Sequence, residues 1–94
     1  MLYFSEPYAP QNLIANANIN SMCVSWNKPI LGRVERYYVY LRDVTYSKKE
    51  VPGSGNNTET FDGLTSGKEY TVAVVAVSGH QRSDSLNGTF FTST

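Results

Sequence analysis

Cysteine is almost missing from this chain: Cys23 stands alone in 94 residues. A single thiol excludes an internal disulfide and any cysteine-cluster zinc site, so the fold must hold itself together by packing. Long apolar runs are missing too. The longest, at residues 72–77, is far short of the ~20 residues a bilayer-spanning helix requires. The N-terminus has no basic flank leading into an apolar stretch, so no targeting signal is expected within these residues and no direct membrane insertion. Charge of one sign is also lacking. Lys plus Arg number 8, Asp plus Glu number 8, and the formal net charge is zero, which leaves no long-range field to recruit nucleic acid or anionic lipid. Arg33, Arg36 and Arg42 interleave with tyrosines as in single-strand binders, but Glu35 and Asp43 intervene. No nucleic-acid partner is expected.

Catalytic constellations are equally scarce. The one histidine, His80, sits in a Gly-Ser loop, and Cys23 has no evident orienting partner. Thiol–imidazole chemistry needs a base within hydrogen-bond reach and a third group to orient it. The P-loop, paired-histidine zinc and calcium-loop patterns are absent. No catalytic residue, metal ligand or cofactor is expected, and the chain reads as a non-enzyme.

What is present is a small globular composition, 40% apolar and 17% charged, without the like-charge blocks that mark disorder. One domain of this size hides roughly 60–65% of its unfolded surface. Apolar residues alternate rather than following a helical stripe, and Gly, Asn, Ser and Pro clusters break the pattern at short intervals. Residues 1–8, with Pro7, read as a linker or lead-in before a domain over 9–94. A weak strand at 11–17 offers Leu13. A stronger one at 21–27 alternates Met22, Val24 and Trp26 against Cys23 and Ser25. Residues 34–43 put Tyr37, Val39 and Leu41 on one face. Residues 46–58, rich in Pro, Gly and Asn, read as a loop with a short edge strand near 48–51. Short strands at 59–61 and 86–92 flank the longest, 68–77, where Tyr70, Val72, Val74 and Ala76 share a side. Residues 78–83 read as a polar loop. Seven short strands with no helix between them predict an all-β, seven-stranded, immunoglobulin-like β-sandwich.

The ordered set Pro10, Leu13, Trp26, Pro29, Val34, Tyr37, Val39, Leu41, Phe61, Leu64, Gly67, Tyr70, Val72, Val74, Ala76 and Thr92 resembles the fibronectin type III family over nearly the whole chain. The resemblance implies a core built on Trp26, Tyr37, Val39, Leu64, Tyr70, Val72 and Val74, with Leu64 and Tyr70 forming a tyrosine corner. It also implies a non-catalytic, extracellular spacer and protein-binding module from a multi-repeat receptor or cell-adhesion ectodomain, partnered by neighbouring repeats or an extracellular protein ligand. The alternative within the family is an intracellular repeat of a muscle-type scaffold array. Residues 72–83 and the Gly32-Arg33-Val34 approach are similar to repeats of receptor-type tyrosine phosphatases, whose catalysis would reside in another domain. The family's integrin-binding Arg-Gly-Asp is not found; Arg82-Ser83-Asp84 occupies the matching position without the glycine.

Two N-x-T acceptor patterns, at Asn56 and Asn87, suit glycosylation on surfaces that face water. Cys23 falls on the outer face of its sheet, either half covered by a neighbouring strand's side chains or by an adjoining domain, or paired with a partner's cysteine. Alternation sends Tyr38, Tyr40 and Arg42 outward on the third strand, Ala73, Val75 and Val77 outward on the sixth, and Phe91 outward on the last. Exposed Tyr and Arg are the side chains that most often anchor interfaces. Tyr38, Tyr40, Arg42, Val75 and Phe91 are therefore the candidate interaction surface.

Overall fold

The computed structural model describes residues 8–43 and 46–94; most of the expected lead-in lies outside them. Regular structure among the described residues is strand throughout: β1 Gln11–Ala17, β2 Met22–Asn27, β3 Arg36–Arg42, β4 Tyr46–Pro52, β5 Thr58–Phe61, β6 Glu69–Ser78, β7 Gln81–Arg82 and β8 Leu86–Phe91. One antiparallel sheet has the order β1-β2-β5. The other runs β4-β3-β6, with β7 and β8 both on the far edge of β6. The chain is an all-β sandwich of two sheets.

Its core comes from the alternating inner positions of both sheets. Met22, Val24 and Trp26 of β2 face Tyr37, Val39 and Leu41 of β3 and Tyr70, Val72, Val74 and Ala76 of β6, with Val51 and Phe61 completing the cluster. Leu13, Leu64, Leu86 and Phe90 pack on its margin, partly buried. Trp26 and Tyr37 meet edge to face, ring centroids 5.3 Å apart, a geometry worth about 0.5–1.5 kcal/mol beyond area burial.

Three features depart from the sequence reading. Residues 46–52 form a full strand pairing the whole of β3, not a loop with a short strand. Only Val51 in β4 is buried, so the strand lacks the alternation that would reveal it, and its lysines protect an open sheet edge. Lys49 spans from that edge to β5, donating to the Thr60 carbonyl at 2.8 Å and lying 3.4 Å from the Glu59 carboxylate.

Residues 78–83, expected to be a polar loop, are instead half strand. Ser78 pairs with Gln81 and Val77 with Arg82, leaving only Gly79 and His80 to turn. Gly79 has φ +61°, the conformation that a two-residue type II′ turn requires of its first central residue. The last strand is also cut in two. Val77 pairs with Arg82 but Val74 with Leu86, a one-residue register change that makes residues 83–85 a bulge. Ser83 holds the bulge: its amide donates to the Ala76 carbonyl, and its hydroxyl accepts from the Ala76 amide, both at 2.9 Å.

A second glycine is fixed by close approach. A Cβ on Gly53 would lie 2.0 Å from the Val34 carbonyl oxygen, because the Gly53 amide donates to Glu35 O at 2.9 Å as the chain leaves β4.

Candidate interaction face

The β4-β3-β6 sheet sets its outward residues in rows. Across β4, β3 and β6 they read Pro52, Arg36, Val77; then Glu50, Tyr38, Val75; then Lys48, Tyr40, Ala73; then Tyr46, Arg42, Thr71. Arg82 extends the first row, Asn87 the third and Thr89 the fourth. A tyrosine ladder runs diagonally over this grid. Tyr38 and Tyr40 meet edge to face at 6.4 Å, and Tyr40 and Tyr46 lie tilted at 5.5 Å. Tyr38 and Tyr40 are half-buried, while Tyr46 and Arg42 are exposed.

Cations converge on Tyr38. The Lys48 ammonium lies 3.8 Å from its ring centroid and the Arg82 guanidinium 5.2 Å, while Arg36 Nε reaches the hydroxyl at 3.5 Å. Each cation over an exposed ring is worth about 0.5–1 kcal/mol. The Arg36 hydrogen bond, with the Arg36 and Lys48 charges behind it, holds the Tyr38 phenol below its ordinary value against some desolvation and Glu50. A neutral ring thus becomes the centre of a small positive patch.

The expected surface changes in two respects. Val75 keeps its outward register but is only 9% exposed, and Val77 only 2%. Val75 lies across from Tyr38, and Val77 between Arg36 and Arg82, so the long side chains of the adjacent strands cover both. Alternation assigns a face to a residue but says nothing of the width of its neighbours. Phe91 is exposed, at 61%, yet pairs with Glu69 at the far end of β8, apart from the tyrosines. The face that remains is Tyr38, Tyr40 and Arg42, joined by Tyr46, Lys48, Arg36 and Arg82. Tyr46 and Lys48 escape a reading of the sequence because β4, exposed up to Val51, shows no alternation that marks it as strand.

Elsewhere the expected core residues Trp26, Tyr37, Val39, Tyr70, Val72 and Val74 are buried and Leu64 is partly buried. Burial pushes the Tyr37 phenol up, with Trp26 and Asn57 close enough to its hydroxyl to hold it back partly. Trp26 Nε1 and Asn57 Oδ1 have no well-formed hydrogen bond, so burial governs the shift. The corner forms as the Thr65 amide donates to the Tyr70 hydroxyl at 2.8 Å. Cys23 is half-buried between Asn16 and Thr60, its register partners. Asn56 and Asn87 are exposed, as are Thr58 and Thr89 two residues on. His80 is exposed on its turn, and Arg82 belongs to β7 with Ser83 8% exposed beneath it, so Arg82-Ser83-Asp84 does not form a projecting loop. Among the described residues no group of three His, Cys, Asp or Glu side chains is placed to hold a metal ion. No helix among them is long and apolar enough to cross a membrane.

The family model for the fibronectin type III domain matches residues 8–89. The chain is a fibronectin type III domain. Among curated proteins, this fibronectin type III domain is 36% identical to human (Homo sapiens) tenascin-N over 77 residues, 80% of the chain and 6% of tenascin-N. It is 34% identical to the mouse (Mus musculus) protein over 81 residues, 84% of the chain and 5% of that protein. The chain therefore spans about one-twentieth of these relatives. Among solved structures it is similar to a two-domain fibronectin type III segment of chicken tenascin, with TM-score 0.86 and 26% identity over 94% of this chain and 51% of that one. The fibronectin type III domain of the human collagen α-1(XX) chain gives TM-score 0.83 at 27% identity, covering 98% and 90%. The fibronectin type III domain is a non-catalytic module family.

Proposed function

We propose that this fibronectin type III repeat works outside the cell, as one spacer in a multi-repeat protein, and docks a protein partner on the Tyr38–Tyr40–Tyr46 face. The observation that carries the reading is the gathering of Lys48, Arg82 and Arg36 around the Tyr38 ring. Tyrosine and arginine on a rigid sheet offer large contact area at low entropic cost, and the cations give the patch a preference for an acidic partner surface. The likeness to tenascin-N, an extracellular matrix protein, favours a matrix parent. It carries more weight than the short similarity of residues 72–83 to receptor-type phosphatase repeats. Exposed acceptor positions at Asn56 and Asn87 fit the secretory route and thus the same compartment.

The test is solid-phase binding of the secreted chain to extracellular matrix extracted from its source tissue, comparing the native sequence with Lys48→Glu/Arg82→Glu. Both side chains sit on the surface, so each substitution should cost no more than about 1 kcal/mol of stability, the worth of its contact with the Tyr38 ring. Binding should fall at least tenfold, about 1.4 kcal/mol. Equal binding by the two proteins would remove this face from consideration. Glycan mapping of the native parent checks the compartment separately, occupancy of Asn56 or Asn87 being the expected result.

A further inference from the structure

The tyrosine ladder has an acceptor asparagine at its rim. Ala73 lies across from Tyr40 on one side and from Asn87 on the other. Asn87, Ala73 and Tyr40 therefore stand in one row over β8, β6 and β3, with about 4.5–5.5 Å between neighbouring Cα atoms. Ala73 contributes only a methyl group to that row. The resulting dip belongs to a groove of ≈ 230 Å³ lined by Tyr40, Arg42, Tyr46, Thr71 and Ala73. Asn87 and Thr89 are both exposed on this side of an edge strand, so the sequon opens beside the groove.

The lining suits a sugar. One face of a pyranose ring presents C–H bonds that stack on aromatic rings, and its rim presents hydroxyl and acetamide oxygens that accept hydrogen bonds. The Tyr40 and Tyr46 rings, 5.5 Å apart and inclined at 37°, supply an aromatic wall. Arg42 supplies a fork of donors with no acceptor of its own. The groove falls below the ~300 Å³ at which drug-sized pockets begin, room for one ring rather than an extended oligosaccharide. From Asn87 to Tyr40 is two strand spacings, which an asparagine side chain and one or two pyranose rings cover.

We propose that an N-linked glycan on Asn87 folds back across Ala73 and seats its first N-acetylglucosamine residues on Tyr40 and Tyr46, with Arg42 bonding their oxygens. This rests on the extracellular reading above and adds a regulatory consequence to it. The seated glycan covers the Tyr40–Tyr46 end of the face and leaves the Tyr38 end, with its cations, to a protein partner. Occupancy of Asn87 then sets how much of the face a partner can use.

The experiment uses the whole chain secreted from cells that make high-mannose glycans, trimmed with mannosidases so that both core N-acetylglucosamine residues remain at each site. Proton NMR is read for cross-relaxation between those sugars and the tyrosine rings, with Asn56→Gln isolating the Asn87 glycan. The expected result is cross-peaks from the sugar to Tyr40 and Tyr46 ring protons and upfield-shifted acetamide protons. Both should be lost in Tyr46→Ala, whose exposed side chain can be removed without unfolding the domain, and in Tyr40→Ala. A sugar on Asn87 with free-sugar shifts and no cross-peaks to these rings overturns the proposal. So does a secreted chain modified at Asn56 but never at Asn87, which leaves the extracellular reading standing. A native parent modified at neither site overturns the proposal and counts against the compartment as well.

Discussion

Removing the Tyr70 hydroxyl and the Thr92 hydroxyl should each destabilise the domain, and together they should do so less than additively. Both side chains hold the same loop. Tyr70 Oη accepts from the Thr65 amide at 2.8 Å. Thr92 Oγ1 donates to the carbonyl of that residue and accepts from the Lys68 amide at 3.0 Å. Thr92 is only 3% exposed, so water cannot easily replace its bonds. Tyr70→Phe leaves one amide without its partner, costing about 1–2 kcal/mol, while Thr92→Val strands a carbonyl and an amide for roughly 2–4 kcal/mol. In a domain this small, 1 kcal/mol lowers Tm by roughly 4–8 °C. Once either hydroxyl is gone the loop around Thr65 can move and satisfy its groups in water, so the second loss costs less. The coupling should fall at about 0.5–3 kcal/mol. Urea unfolding of the four proteins of the cycle, extrapolated linearly, measures it. Strict additivity, or a Tyr70→Phe protein as stable as the native one, would mean that packing rather than these hydrogen bonds fixes the loop.

Gly53→Ala should cost about 2–4 kcal/mol by urea unfolding, because its methyl would meet the Val34 carbonyl oxygen at 2.0 Å; a native-like midpoint would show that the β4 exit relaxes freely. Trp26→Ala should cost about 3–5 kcal/mol, seen as a drop in Tm or a chain that no longer folds, since Trp26 packs edge to face on Tyr37 in the core. Alkaline stability should fall for a definite reason. Burial raises the Tyr37 phenol above its ordinary 10.0, so above about pH 10 the unfolded chain releases a proton that the folded chain keeps, and stability declines as pH rises. Unfolding midpoints at about pH 9 and about pH 11 should converge in Tyr37→Phe relative to the native chain. An unchanged pH slope in that variant would assign the decline to other groups.

The sandwich was legible because β2 and β3 carry unbroken alternation and β6 alternates as far as Val74. Met22, Val24 and Trp26, like Tyr37, Val39 and Leu41, fall on one side of their strands, and the buried set follows that period. β4 was poorly legible for the complementary reason. With five exposed residues before Val51, it has no core face, and its strand state is set by pairing along β3 rather than by its own composition. The covering of Val75 and Val77 could not be read locally either. It depends on which side chains the register brings alongside, and register is a property of two strands at once. Tyr46 and Lys48 joined the face through the same pairing. The Gly79–His80 turn carried a readable signal in its glycine, but a one-residue bulge at 83–85 separates the hairpin from β8 and hides the continuity of the edge strand.

The geometry of that hairpin also bears on where recognition can occur. A fibronectin type III domain can present a ligand motif on the loop that follows its longest strand, here β6, only if that loop stands away from the sandwich. Here the connection is two residues long. The Gly79 amide donates to the Glu35 carboxylate at 2.8 Å, and Arg82 is drawn back over the Tyr38 ring. Ser83 is tied to Ala76 below it. The residues that would have formed a projecting tip are spent on closing the sheet, and the arginine among them has become part of the sheet face. Contact area at this end must therefore come from the flat surface of β4, β3 and β6, where the tyrosine ladder lies. Lengthening the turn by inserting glycines after Gly79 would free Arg82 from Tyr38. If the face recognises its partner as a preformed cationic surface, that insertion should weaken binding about as much as Arg82→Glu does, although no residue of the face has been changed; binding that survives the insertion intact would mean that Arg82 acts from the loop and not from the sheet.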